Sequence, residues 1–263
     1  MRNTDIQMVF LDIDGTLFVE GKLVQSGIRA VEQLTAQGIP VAICTGRSVL
    51  HAKHVQDTLD VPYGIFFNGG LVRTKTDELF ATPFKADDVA GIVHYARSHG
   101  ISTILHTHER AVSFAPIPEQ YKAILAFFDF PSIEIVPFAV ANLDNINIFQ
   151  INAFMTREWD ADFETRFPAS YIYRWDTRAV DFQRRKSDKS IGAKHLLDHL
   201  GIKPEHALHI GDGGNDIGMF KTLGYSYAMG NATDDVKQFA KRVTTNAEDD
   251  GVARALHELG LIS

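Results

Sequence analysis

Short apolar runs alternate along the chain with longer segments in which apolar residues recur every three or four positions. The first run, Met8–Leu11, has the length and composition of a buried strand. It ends in Asp12-Ile13-Asp14-Gly15-Thr16. Residues 26–37 place Ile28, Ala30, Val31 and Leu34 at helical spacing, and Gly38 closes the segment. Residues 39–44 form a second apolar run, ending in Thr45-Gly46-Arg47. Residues 49–59 read as a helix, and residues 64–67 as a third strand ending in Asn68-Gly69-Gly70. Alternating strand and helix predict a parallel sheet with helices on both faces. Ligands of such sheets bind beyond the carboxyl ends of the strands, and all three polar clusters lie there.

The middle of the chain changes character. Residues 87–99, 119–128 and 160–167 read as helices. Residues 101–106, 111–115, 147–155, 171–175 and 179–183 read as strands, several of them adjacent in sequence. Adjacent strands predict an antiparallel sheet covered by helices. The first pattern then returns. Residues 187–200 read as a helix beginning near Asp188 and Lys189. Residues 207–210 form a strand ending in Gly211-Asp212-Gly213-Gly214-Asn215-Asp216, followed by a helix through Ile217, Met219, Phe220 and Leu223. Apolar stretches near Ala228 and Val243 complete the sheet. The expected fold is α/β: a Rossmann-like parallel-sheet core of residues 1–82 and 184–263, with an α+β domain inserted at 83–183.

Composition narrows the classes. The chain has 263 residues, 45% hydrophobic and 22% charged, with a net charge of -7. That balance lacks the basic stripe of a nucleic-acid surface. No window reaches eighteen consecutive apolar residues, so no membrane span is expected. The opening residues are polar and the apolar run after them stops at Asp12, unlike a signal peptide. A single cysteine, Cys44, excludes an intrachain disulfide. These points predict a cytoplasmic location.

Four polar clusters are candidates for chemistry. Two residues apart on an extended segment, Asp12 and Asp14 point to one side, where their repulsion needs a cation or a shared proton. One carboxylate can attack phosphorus and the other can protonate a leaving oxygen; the same residues also suit an Asp-rich turn. Asp212 and Asp216 end another strand and suit Mg²⁺, which keeps several waters, or a helix N-cap. Thr45 and Gly46 precede a helix start, which is a phosphate site or a simple cap. Lys189 would bring an ammonium to the same end of the sheet, or lie solvated. Together the four supply a nucleophile, an acid, a metal site, a hydroxyl and a cation, the parts that phosphoryl transfer uses. The cation and metal have a reason. A carboxylate meeting one phosphate charge at about 4 Å costs about 4 kcal/mol at an effective dielectric near 20. Cys44, in an apolar run, reads as structural, and His106 with His108 lack a third ligand for zinc.

The segments DIDGT at Asp12, TGR at Thr45, Lys189 and GDGGND at Asp212 resemble, in order and spacing, the four motifs of the haloacid dehalogenase superfamily. The large insertion resembles that of the Cof-type branch with a subclass IIB cap, and Asn68-Gly69-Gly70 is similar to that branch's N-G-A signature. The resemblance covers essentially the whole chain. It implies a phosphatase in which Asp12 becomes an aspartyl phosphate and Asp14 serves as acid, then base. It implies Mg²⁺ held by Asp12, the Asp14 backbone carbonyl and Asp212, with Asp216 orienting metal-bound water. Thr45, Gly46, Lys189 and Asn215 would hold the phosphate, and a cap over the site would select the substrate. Small phosphorylated metabolites, sugar phosphates first, are the implied substrates. Alternatives are a sugar phosphomutase, whose second motif differs from TGR, and a non-catalytic phosphometabolite-binding or signalling protein.

Overall fold

The computed structural model describes residues 5–127, 130–138, 146–185 and 187–263. They form two compact units. The first comprises Met1–Arg47, Ala52–Ala81 and Asp188–Ser263; the second comprises Ser48–His51 and Thr82–Ser187.

The first unit is built on β1 (Met8–Leu11), the hairpin β2 (Phe18–Val19) and β3 (Lys22–Leu23), α1 (Gln25–Ala36), β4 (Val41–Cys44), the part of α2 (Val49–Leu59) from Ala52 on, β5 (Tyr63–Phe66), β6 (Leu71–Thr74) and β7 (Glu78–Ala81). After the second unit the chain returns with α6 (Lys189–Leu200), β14 (Ala207–Gly211), α7 (Ile217–Thr222), β15 (Tyr225–Ala228), α8 (Asp234–Lys237), β16 (Arg242–Val243) and α9 (Gly251–Glu258). The sheet order is β16-β15-β14-β1-β4-β5-β6-β7. The six strands from β16 to β5 run parallel, as the alternation predicts. Every residue of β1, β4 and β14 is buried, which is why these strands read as continuous apolar runs rather than alternating ones. Met8, Phe10, Ala42 and Cys44 pack with Ala193, Leu196 and Leu197 of α6 and Met219 of α7.

The strands β6 and β7 extend this sheet in the antiparallel sense and were not expected. The reversal comes from the turn after β5, where Phe67, Asn68 and Gly69 all take positive φ. Gly69, at φ +90, is required there. A Cβ on it would overlap the Asp188 carbonyl oxygen, so the turn lies directly against the start of α6.

The second unit contains α3 (Ala86–Ser98), β8 (Ser102–His106), β9 (Ala111–Ser113), α4 (Glu119–Phe127), β10 (Ile133–Ile135), β11 (Gln150–Phe154), α5 (Asp160–Arg166), β12 (Ser170–Asp176) and β13 (Ala179–Arg184). Residue 128, the expected end of the α4 helix, lies outside the described residues. The sheet order is β10-β9-β8-β11-β13-β12. It is antiparallel throughout except for β10, which pairs parallel to β9. Period-two alternation sorts its faces. Leu105, Ile151, Ala153, Val180 and Phe182 pack with Val89, Ile92, Val93 and Ala96 of α3 and Phe163 of α5. Ile104, Ala111, Phe154 and Ala179 instead pack with Ile124 of α4. That second face also carries polar side chains. Asp181 accepts hydrogen bonds from Trp175, Asn152 and Gln150, and Asn152 also bonds His106. Burial pushes the Asp181 carboxyl up to about 7, against the pull of those donors.

Gly69→Ala is expected to lower the unfolding free energy by about 1–3 kcal/mol, the cost of forcing a side chain into this backbone region. Denaturant melts measure it, and a variant as stable as the parent would show that the turn can move away from α6.

Candidate active site

Asp12 stands immediately beyond β1, and its N–H donates to the Ile210 carbonyl of β14 at 3.0 Å. The chain then turns sharply. The N–H groups of Thr16, Leu17 and Phe18 converge on the Ile13 carbonyl at 3.2, 2.8 and 2.8 Å. Gly15 takes φ +68, and a Cβ there would run into the Asp212 carboxylate. The Thr16 hydroxyl donates to Asp212 Oδ1 at 3.3 Å. The loop after β1 and the loop after β14 therefore close on each other through a residue without a side chain.

This turn changes the extended-segment picture of Asp12 and Asp14. The strand ends at Leu11, so strict alternation does not govern the two carboxylates. Asp14 is instead gripped by Arg47, whose Nε donates to Oδ2 at 2.9 Å and Nη2 to Oδ1 at 2.6 Å. The Arg47 guanidinium also lies 4.6 Å from the centre of the Phe18 ring. The Arg47 side chain is only 9% exposed while that of Asp14 is 61% exposed. A bidentate, aromatic-backed arginine thus holds a carboxylate that still reaches solvent.

The centre of the site is Lys189, the first residue of α6. Its N-cap, Asp188, accepts from Ser190 N–H at 2.8 Å, which fixes where the helix begins. Lys189 has no exposure, and its Nζ lies 2.9 Å from Asp12 Oδ1 and 2.7 Å from Asp216 Oδ1. The Ile13 N–H also donates to Asp12 Oδ1, at 2.7 Å. Asp216 is fully buried too. Its Oδ2 accepts the Gly213 N–H at 2.9 Å, and its Oδ1 pairs with His209 Nε2 at 2.8 Å.

Titration follows from these contacts. Burial, then the Asp216 charge, push the Asp12 carboxyl well up, while Lys189 pulls it back. Burial and Asp216 raise Asp212 to about 6, again against Lys189. Asp216 goes the other way: burial opposes ionisation, but Lys189 and then His209 outweigh it and hold the carboxyl below its ordinary range. For Lys189, burial is overcome by Asp12 and Asp216, and its pKa is raised.

The other expected residues close around this centre. The Thr45 hydroxyl accepts the Arg47 N–H at 3.1 Å, and the Thr45 carbonyl accepts the Asn68 N–H at 3.0 Å. A Cβ on Gly46 would sit 3.1 Å from Asn68 Oδ1. The Asn215 amide donates to the same Asn68 oxygen at 2.9 Å. The structure thus brings Asp12, Lys189, Asp212 and Asp216 into one cluster, and links Thr45, Gly46 and Asn215 through Asn68. Several participants carried no sequence-derived role: Arg47, Asn68, His209 and Asn231. Asn231 donates to the Gly15 carbonyl at 2.9 Å and to Asp212 Oδ2 at 3.3 Å. The first two sit inside TGR and NGG, where a signal existed. Nothing marks His209 or Asn231: His209 reads as one residue of a buried apolar strand, and Asn231 meets Gly15 and Asp212 from a separate loop.

The donor set fits a divalent cation. Oxygens of Asp12, Asp212 and Asp216 all lie within 4.8 Å of one another. Once ionised, these three carboxylates, two of them buried, outnumber the one ammonium by two charges, which a dication would neutralise, and hard oxygen ligands suit Mg²⁺. Asp14 contributes no carboxylate to this group, and its charge is met by Arg47.

The sequence profile of the family described as haloacid dehalogenase-like hydrolase matches residues 9–256. A Streptococcus pyogenes protein, named as a candidate bifunctional phosphatase/peptidyl-prolyl cis-trans isomerase, is 31% identical over 98% of this chain. This chain spans only 54% of that protein's length. The Bacillus subtilis protein YkrA, named as a candidate phosphatase, is 27% identical over 98% of this chain and 99% of its own. Among solved structures, the subclass IIB sugar phosphatase BT4131 matches with a TM-score of 0.83 at 27% identity, covering 97% of this chain and all of its own.

The raised carboxyls give a stability signature. The folded chain keeps a proton on Asp212 that the unfolded chain releases near 3.8 and the folded one only near 6. Stability of the metal-free protein should therefore fall as pH rises through that window. Thermal unfolding after EDTA treatment should show this fall, with a smaller slope in Asp212→Asn. Added Mg²⁺ should raise the melting temperature more at the upper end of the window than at the lower. Equal slopes in the two proteins would remove Asp212 as the source.

Proposed function

The chain belongs to the haloacid dehalogenase-like hydrolases, and from that premise we propose a Mg²⁺-dependent phosphatase of small phosphorylated metabolites, sugar phosphates first. Hydrolysis of phosphate esters is the activity its phosphatase relatives and structural neighbours support. The observation that carries the finer reading is Lys189, buried without exposure between Asp12 and Asp216. A cation so placed counters the repulsion between a carboxylate nucleophile and an incoming phosphate.

In this reading a carboxylate oxygen of Asp12 attacks phosphorus while the bond to the leaving alkoxide breaks. Asp14 gives its proton to that oxygen, then takes one from the water that cleaves the aspartyl phosphate. Asp12 is regenerated and inorganic phosphate leaves. Asp14 suits the role because it reaches solvent, and Arg47 orients it. Thr45, the Gly46 backbone, Lys189 and Asn215 would hold the phosphate oxygens. Mg²⁺, held by Asp12, the Asp14 backbone carbonyl and Asp212, would supply neutralising charge at the phosphate. Asp216, whose oxygens are already taken by Lys189, His209 and Gly213, would act behind these ligands. Residues 1–82 with 184–263 form the chemical core in this reading, and residues 83–183 the cap that selects the organic part. The peptidyl-prolyl isomerase activity in the S. pyogenes relative's name is that longer protein's own.

Two outcomes are expected from phosphate release across a panel of phosphorylated metabolites, with Mg²⁺ or EDTA and no bisphosphate activator. Wild type should turn over only with Mg²⁺, and Asp12→Asn should fold normally yet release nothing; wild-type rates in that variant would remove the nucleophile. Asp14→Asn should lower kcat/KM, which reports the first step alone, by about 10²–10⁴-fold with alkyl phosphates and far less with p-nitrophenyl phosphate, whose leaving group needs no proton. An equal loss of kcat/KM on both would remove Asp14 as the acid.

A further inference from the structure

Strand β14 reads Ala207-Leu208-His209-Ile210-Gly211 and is buried throughout. Its middle residue is nevertheless an imidazole without exposure. A buried polar group costs free energy unless its atoms find partners. Nε2 has one, Asp216 Oδ1 at 2.8 Å. Nδ1 has none among the described residues. Its cross-strand neighbours are Phe10 on β1 and Ser226 on β15, and the Phe220 ring centre lies 5.5 Å away. Leucine here would remove the orphaned nitrogen, so apolar packing alone gives no account of the histidine.

Its one contact does. Asp216 accepts on both oxygens, from Gly213 N–H on Oδ2 and from Lys189 on Oδ1, so at this contact Nε2 is the donor. Asp216 Oδ1 is then fixed from two directions, by Lys189 Nζ and by His209 Nε2. The ring is anchored in the central strands of the sheet, whereas the lysine is a flexible stem. A Cβ on Gly211 would sit 2.8 Å from His209 Nε2, so the backbone leaves room for this pair.

We propose that His209 is a positioning residue of the phosphate site: it locks Asp216, and through Asp216 holds the Lys189 ammonium beneath Asp12. Its consequence for turnover rests on the phosphatase reading above, but its consequence for phosphate binding does not.

The test compares His209→Leu, His209→Gln and His209→Asn. Calorimetry with inorganic phosphate gives binding; kcat and KM are measured on the same preparations, with melting temperatures recorded. Glutamine can place an amide N–H near the position of Nε2, and asparagine is one carbon short. H209L should weaken phosphate binding and kcat/KM by about 10–100-fold, the usual scale for a supporting residue, with H209Q within about threefold of wild type. In an Asp216→Asn background, H209L should cost less than about twofold more, because residues acting through one partner are not additive. A purely structural histidine would lower the melting temperature and leave binding and kcat/KM of the folded protein unchanged, which would overturn the proposal. Full additivity with D216N would overturn it as well. Should H209L fail to fold, the amide pair decides: H209Q active and H209N impaired supports the role, and equal values overturn it. Phosphate binding that depends on His209 in a protein that hydrolyses no monoester would sink the phosphatase reading and leave this one standing.

Discussion

One ammonium group between two carboxylates governs the construction of the site. Lys189 Nζ bridges Asp12 and Asp216 with all three side chains essentially out of solvent. Taking such charges from water costs several kcal/mol per ion, and the partners around them offset that cost. Much of the surrounding architecture serves that arrangement. β1 and β14 are neighbours in the sheet, which brings Asp12 and the Asp212–Asp216 loop to adjacent strand ends. Asp188 caps α6, so the helix starts with Lys189 at its first position. Gly69 lets the turn after β5 lie against that start, and Gly15 lets the first loop meet Asp212.

The charge distribution separates two tasks. The interior group of Asp12, Asp212 and Asp216 is short of positive charge even with Lys189 present, which suits it to a dication. Asp14 is kept apart from that deficit, since Arg47 neutralises it at the edge of the site. Two aspartates separated by one residue thereby enter different environments. In the proposed mechanism, that divergence lets one short loop provide both a nucleophile near a metal and a group that exchanges protons with substrate and water.

The second unit follows another logic. Its sheet buries one face under α3 and α5 with aliphatic and aromatic side chains. The opposite face mixes the apolar residues under α4 with a network of His106, Gln150, Asn152, Trp175 and Asp181. None of these residues could be assigned a role from sequence, because alternation along a strand tells which residues share a face and not what that face meets. Among the described residues no helix is long and apolar enough to cross a membrane.

The apolar runs that end in Asp12, Thr45 and Asp212 determined the parallel core by themselves, because a strand buried on both faces can be little else. The same runs placed the chemical residues at strand ends, and the ordered spacing of the motifs identified the family. The antiparallel edge formed by β6 and β7 was not legible, since it depends on three successive positive-φ residues that only Gly69 announces. The pairing of Asp14 with Arg47 and the support of Asp216 by His209 were also out of reach. His209 sits in an apolar strand and looks like any core residue until the fold turns Asp216 back over it. Sequence determined which groups are present and at which end of the sheet they gather. Tertiary structure decided which carboxylate receives the lysine, which the arginine and which the imidazole, because those choices rest on distances of about one hydrogen bond that no linear spacing encodes.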